Sequence, residues 1–361
     1  MKPLVERWVR PEIRALSAYS VQDGSGLIKL DAMENPYGWP DELRRDWAKT
    51  IKRVVVNRYP DPEARELVAV LRQVMGIPGD MMLLLGNGSD EIIQIIALAL
   101  AGPGRTILSV EPGFVMYRMI ATFCGMEYVG VPLREDFSLD LPAFLQAIEA
   151  HQPAVIFLAY PNNPTGNLFD PDELQRIIEA APGLVVIDEA YSPFADASFL
   201  GRLGQFSNLL VMRTLSKLGL AGLRLGYLAG PREWLEEFHK VRMPYNINVL
   251  TQATAAFALT EGWTLLQEQS QAIRAERARL FDALHAMADV TPFPSQANFI
   301  LVRTRPGQAE MTFRSLKQGG VLVKNLHGGH PLLEDCLRFT VGTAEENARL
   351  LRILSQESPP D

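Results

Sequence analysis

A lysine, an aspartate and an asparagine each follow the end of an apolar run in this chain, and together they could do amine chemistry. Lys217 stands in "RTLSKLGLAGLRLGY", behind the run "NLLVM", with Thr214 and Ser216 before it and Arg213 and Arg224 on either side. Partial burial and neighbouring cations lower a lysine's pKa and make its amine a nucleophile. The hydroxyls and guanidinium groups around it suit a phosphate. Asp188 ends "VVID", where a carboxylate needs a cation or hydrogen-bond donors. Tyr191 follows three residues later. Asn163, in the rigid turn "YPNNPTGN", is a neutral donor that could reach a phenolic oxygen. "GNGSDE" places Ser89 and Asp90 where a helix opens, and the free N–H groups of a helix start can hold a phosphate. No Gly-Lys-Ser/Thr follows, so this is not a P-loop. Singly, each feature has a plainer explanation: a snorkelling lysine, a structural ion pair, a turn asparagine, Ser89 as an ordinary N-cap. Their concurrence carries the functional reading.

These residues need a scaffold that gathers strand ends. Short apolar runs at 81–85, 106–110, 154–159, 184–188, 208–212 and 225–230 alternate with helical patterns. That predicts an α/β fold with a mostly parallel central sheet and helices on both faces. Ligands of such sheets bind beyond the carboxyl ends of the strands, where Ser89, Asn163, Asp188, Tyr191, Ser216 and Lys217 all fall. The ends of the chain read differently. Residues 251–287 form a long helical stretch, followed by strands in "ANFILVR", "GVLVK" and "CLRFTVG". The chain is expected to divide into an N-terminal arm with part of a small domain (1–45), a large domain (46–250) and a smaller α+β domain (251–361).

An amine for an aldehyde, a carboxylate for a ring nitrogen, donors for a phenolic oxygen and a cage for a phosphate together describe a site for pyridoxal 5′-phosphate (PLP). The chain resembles the aspartate-aminotransferase-like family of fold-type I PLP enzymes, and within it the group of histidinol-phosphate aminotransferases. The resemblance runs over nearly the whole chain. It passes in order through "KLDAMENPYG" (29–38), "NRYPDPEA" (57–64), "GNGSDE", "YPNNPTGN", "VVIDEAY", "RTLSKLGLAGLRLGY", "ANFILVR" and "LRFTVGTAEEN" (337–347). It implies that Lys217 bonds the cofactor's aldehyde and that Asp188 pairs with the pyridine nitrogen. Asn163 and Tyr191 would bond the phenolic oxygen, and Ser89, Asp90, Thr214, Ser216 and Arg224 would surround the phosphate. Phe114, in "EPGF", would stack on the ring where relatives often carry tyrosine. Tyr59 would reach the phosphate of a neighbouring subunit, which implies a homodimer with shared sites. Arg338 would bind the substrate's carboxylate, and Tyr19, Asn35 and Asn163 would line the substrate pocket. The implied reaction moves an amino group between L-histidinol phosphate and 2-oxoglutarate, in cytoplasmic histidine biosynthesis. Three readings stay open beside it: a threonine-phosphate decarboxylase, an aromatic aminotransferase, and a non-catalytic effector-sensing module.

Composition sets limits on partners. The 361 residues are 47% hydrophobic and 21% charged, as in ordinary soluble proteins. The net charge of −7 and the lack of a dominant basic face argue against nucleic acid or an anionic membrane surface. The longest apolar run, 92–102, is too short to span a bilayer. The N-terminus lacks the apolar core of a signal peptide. Cys124 and Cys336 form no CxxC pair and fit a reducing compartment. His327 and His330, in "HGGHP", have no third ligand nearby and read as part of a solvated loop, so no metal is expected.

Overall fold

Six apolar runs in the middle of the chain become strands of one sheet in the computed structural model, which describes residues 4–18 and 22–357. After a short strand near the N-terminus, β1 (Ile28–Leu30), come β2 (Met82–Gly86), β3 (Thr106–Glu111), β4 (Glu127–Pro132) and β5 (Val155–Ala159). Next are β6 (Leu184–Asp188), β7 (Leu209–Thr214) and β8 (Gly226–Gly230). The last seven of these form a sheet ordered β2-β8-β7-β6-β5-β3-β4. Its neighbours run parallel, except that β8 is antiparallel to both β2 and β7. β4 is the strand that the apolar pattern did not announce. It lies at the sheet's edge, and in "EYVGVP" Val131 alone is fully buried, so its apolar signal is weak.

Along the central strands, side chains alternate between two cores. Leu184 and Val186 pack with Phe157, Leu210 and Met212 on one face. Val185 and Ile187 pack with Leu158, Leu209 and Val211 on the other. Both faces are covered, which is why these strands are apolar throughout. Asp188 and Thr214 continue the first series past its last apolar residue, and Arg213 continues the second.

A second sheet is built from both ends of the chain. It holds β1 with β9 (Val290–Pro292), β10 (Phe299–Thr304), β11 (Val321–Asn325) and β12 (Cys336–Thr340), ordered β1-β11-β12-β10-β9. β1 pairs parallel to β11, and a separate core gathers Leu30, Leu322, Leu337 and Phe339. The long helical stretch is two helices, Val249–Thr260 and Trp263–His285, parted at Glu261 and Gly262. Among the described residues, no helix is long and apolar enough to cross a membrane.

Candidate active site

Beyond Thr214 the chain turns sharply through Ser216–Leu220, where Gly219 takes a φ of 118°. Lys217 is carried inward by this turn. Its Nζ donates to the Ala32 carbonyl at 3.0 Å and lies 5.9 Å from the centroid of the Tyr191 ring. Burial, with the positive charges of Arg338 and Arg224, pushes its pKa down to about 8. About a tenth of such an amine is neutral at pH 7, against roughly one part in three thousand for a free lysine.

Asp188 is buried at the end of β6. Its Oδ2 accepts from Tyr117 Oη at 2.7 Å, and its Oδ1 accepts from the Ala190 N–H at 3.1 Å. Burial pushes its pKa up to about 6, against those two hydrogen bonds, which hold it down. Tyr117 belongs to the helix Val115–Cys124, whose start places Phe114 beside it, edge-on at 5.4 Å.

The helix Gly88–Leu100 begins one residue before Ser89, so Ser89 and Asp90 sit in its first turn. Asn87 offers it no side-chain cap, which leaves first-turn N–H groups available to an anion. Gly88 has a φ of 79°, and a Cβ there would lie 2.9 Å from Arg224 Nη2. Arg224 itself holds a left-handed φ of 48°. Its Nη1 donates to Ser216 Oγ at 3.4 Å, and its Nη2 lies 3.7 Å from Asp90 Oδ2. Thr214 Oγ1 donates to Ser216 Oγ at 3.0 Å.

One cavity of about 110 Å³ is lined by every residue that the resemblance assigns to the cofactor, Tyr59 excepted, together with Met33, Ala159 and Ala190. Met33, Phe114 and Asn163 also line a second cavity of about 480 Å³, along with Arg118, Lys324, His330 and Arg338. Arg338 and Lys324 are cross-strand partners on β12 and β11. Arg338 Nη1 donates to Asn163 Oδ1 at 2.6 Å, and Nη2 donates to the Asp31 carbonyl at 3.0 Å. A guanidinium only donates, so the Asn163 oxygen must face it and the amide NH₂ is turned elsewhere. Met33 holds a φ of 54°, fixed by its N–H donating to Thr340 Oγ1 (3.0 Å) and by Asn298 Nδ2 donating to its carbonyl (2.9 Å). Lys324, Met33 and Tyr117 were not expected here.

Other residues stand apart from the two cavities. Arg213 points away from the phosphate cage, to the opposite face of β7. Its Nε and Nη2 donate to the fully buried Glu189 at 2.9 and 2.7 Å, and Nη2 donates to Ser198 Oγ at 2.9 Å. Asn35 Nδ2 donates to the Leu218 carbonyl (3.3 Å) and to Gln269 Oε1 (3.0 Å), fastening the Lys217 turn from outside. Tyr59 is exposed and stacks on Tyr245 with ring centroids 4.5 Å apart. Tyr19 lies outside the described residues. The two loop histidines do line the second cavity, and each also serves its turn: His327 Nδ1 accepts from the Asp335 N–H, and His330 Nδ1 from the Leu332 N–H, both at 3.1 Å.

Residues 25–354 match the family described as aminotransferase class I and II. The chain belongs to this family. This aminotransferase is 58% identical to histidinol-phosphate aminotransferase 2 of Nitrosococcus oceani, over 98% of each chain. It is 54% identical to the histidinol-phosphate aminotransferase of Chromobacterium violaceum, over 99% of each. The solved histidinol-phosphate aminotransferase of Sinorhizobium meliloti, in complex with pyridoxal-5′-phosphate, shares its fold. There the TM-score is 0.86 at 23% identity, covering 97% of this chain and 98% of that one. The aminotransferase is PLP-dependent, as its family is. The cavity fits that group: it holds a buried acid, a buried amine and a cradle that a Cβ on Gly88 would fill.

The Arg213–Glu189 pair belongs to the fold, not to the cofactor. Arg213→Met leaves Glu189 buried without its cation, which should cost about 3–5 kcal/mol. The expected result is a lower urea midpoint with full PLP content per folded chain, read from denaturant melts and cofactor absorbance.

Proposed function

We propose that this aminotransferase moves an amino group between L-histidinol phosphate and 2-oxoglutarate, giving imidazole-acetol phosphate and L-glutamate. The observation that carries the substrate is the outer cavity, where the cross-strand partners Arg338 and Lys324 supply two cations, while Arg118 in the same lining is paired with Glu111. A guanidinium takes a phosphate monoester or a carboxylate with the same fork of donors. One cationic surface can therefore serve a phosphorylated donor and a dicarboxylate acceptor in alternation. The printed names of relatives at more than half identity point the same way.

In this proposal the bound cofactor supplies an aldehyde that takes the amino group and a ring that accepts electrons. Asp188 keeps a proton on the ring nitrogen. Asn163, its oxygen held by Arg338, and Tyr191 donate to the phenolic oxygen. Ser89, Asp90, Thr214, Ser216 and Arg224 hold the phosphate, and Phe114 lies against the ring face. Lys217 Nζ would take the proton from the donor's Cα and deliver it to the cofactor carbon that carried the aldehyde. A homodimer in the cytoplasm belongs to the same proposal. Tyr59 is 81% exposed, and the exposed Val55, Val56 and Met243 stand in the two segments that carry the Tyr59–Tyr245 stack. Cys124 and Cys336 are free thiols, which suits a reducing compartment.

A half-reaction assay tests the substrate. The PLP-loaded enzyme is mixed in turn with histidinol phosphate, phenylalanine and threonine phosphate, and the cofactor spectrum is followed. Histidinol phosphate should convert the cofactor at least about tenfold faster than phenylalanine, a difference of about 1.4 kcal/mol. Equal rates would favour the aromatic enzyme, and carbon dioxide released from threonine phosphate would favour the decarboxylase.

A further inference from the structure

We propose that Tyr117 is a positioning residue for the reaction, its phenol holding the Asp188 carboxylate in place behind the cofactor's ring nitrogen. The inference rests on the reading of the cavity as a PLP site, and on three features of the surroundings.

Asp188 is buried. Among the described residues, its carboxylate receives hydrogen bonds from Tyr117 Oη at 2.7 Å and the Ala190 N–H at 3.1 Å, and no ion pair reaches it. The charged groups that face it, Asp90 from the helix Gly88–Leu100 and Glu189 beside it, are acids and repel it. Among the described residues, the phenol is therefore the one side chain that hydrogen-bonds this anion. It stays a donor, because burial and the carboxylate itself push its own pKa well above the ordinary tyrosine value. Tyr128 and Tyr191, its other titratable neighbours, act in the same direction.

The phenol is also fixed. Tyr117 is fully buried, and its ring stacks on Phe157 of β5 with centroids 4.9 Å apart and planes 12° apart. Phe157 is in register with Val186 of β6, two residues before Asp188. Phe114, three residues before Tyr117, meets the same ring edge-on. One turn of helix thus couples the aromatic in the cofactor cavity to the acid in that cavity. Two carboxylate oxygens accept about four hydrogen bonds, so the Tyr117 and Ala190 bonds leave room for a ring N–H.

Tyr117 does not line the cavity, so its effect must pass through Asp188. Tyr117→Phe keeps the stack and removes only the oxygen. The PLP-loaded variant should show kcat about tenfold lower, as for loss of a hydrogen bond to a charged group. KM for the amino donor should stay within about twofold. A hydrogen bond to the ionised form favours that form, so its removal raises the pKa of Asp188. The pH at which acidification strips PLP from the holoenzyme should therefore rise, by about one unit. In an Asp188→Asn background the same change should lower kcat no further. A wild-type kcat and pH profile would overturn the proposal, as would an equal loss in both backgrounds. A fall in Tm without the pH shift would overturn it too, by making Tyr117 a packing residue. A wild-type enzyme that holds no PLP would sink the cofactor reading instead.

Discussion

Lys217→Ala should lose turnover by at least about 10⁴-fold while keeping the fold and a bound PLP. The size of the loss follows from what one atom does. In the proposed reaction Nζ is both the amine that bonds the aldehyde and the base at the donor's Cα, and a positioned base alone contributes about 10² to 10⁴. Stability should barely change. Among the described residues the Lys217 side chain makes one hydrogen bond, to the Ala32 carbonyl, and its charge is disfavoured by burial, Arg338 and Arg224 more than it is favoured by Glu34 and Asp90. Removing a charge that its surroundings disfavour offsets the packing lost with its methylenes, so Tm should stay within about 4 °C. Asp188, Ser216, Arg224 and the helix start at Gly88 remain to hold the cofactor. Steady-state transamination gives the rate. Borohydride followed by mass spectrometry gives the linkage: wild type should gain a fixed cofactor at Lys217, and the variant none. An alanine variant that transaminates normally would overturn the assignment.

The same residues show what was legible in the sequence. Lys217, Asp188, Asn163 and Ser89 stand out because each follows an apolar run, and parallel strands bring such ends to one rim. The cage around Lys217 was legible in its members but not in their directions. Strand β7 runs two residues past the run "NLLVM", and its alternation sends Thr214 to the cavity face and Arg213 to Glu189. Tyr117 sits 71 residues from Asp188 on the buried face of a helix, where its spacing is that of any core aromatic. Lys324 reaches the outer cavity through its pairing with Arg338, across the long connection between β11 and β12. Met33 takes its left-handed backbone from Thr340 and Asn298, more than 260 residues away, with no glycine to mark the place. Contacts that are local or periodic can be read from one chain. Those made by long-range register cannot.

Asp188→Asn should lower kcat by about 10³-fold, the scale seen when one preorganised electrostatic group is removed from a site. Asparagine cannot hold a proton on the ring nitrogen by charge, although it fills the same space. Its carbonyl can accept from the Ala190 N–H, and its NH₂ can donate to Tyr117 Oη, since a phenol also accepts. Alanine would instead strand the buried phenol, at about 1–3 kcal/mol, and mix a folding defect with the chemical one. The stability of the cofactor-free protein should move the other way. The pKa of Asp188 rises from 3.8 to about 6 on folding, so between those values the native state binds the extra proton. Stability then falls as pH rises from about 4 to about 6, by up to about 3 kcal/mol, and stays lower above that. Asparagine lacks this loss. Without PLP the variant should match wild type near pH 4 and melt higher at pH 7. With PLP the order at pH 7 should reverse, because the wild-type carboxylate then has the ring N–H as its partner. Melts at both pH values, with and without PLP, check the pattern. A cofactor-free variant that is less stable than wild type at pH 7 would show that the protein itself, and not the cofactor, needs this charge.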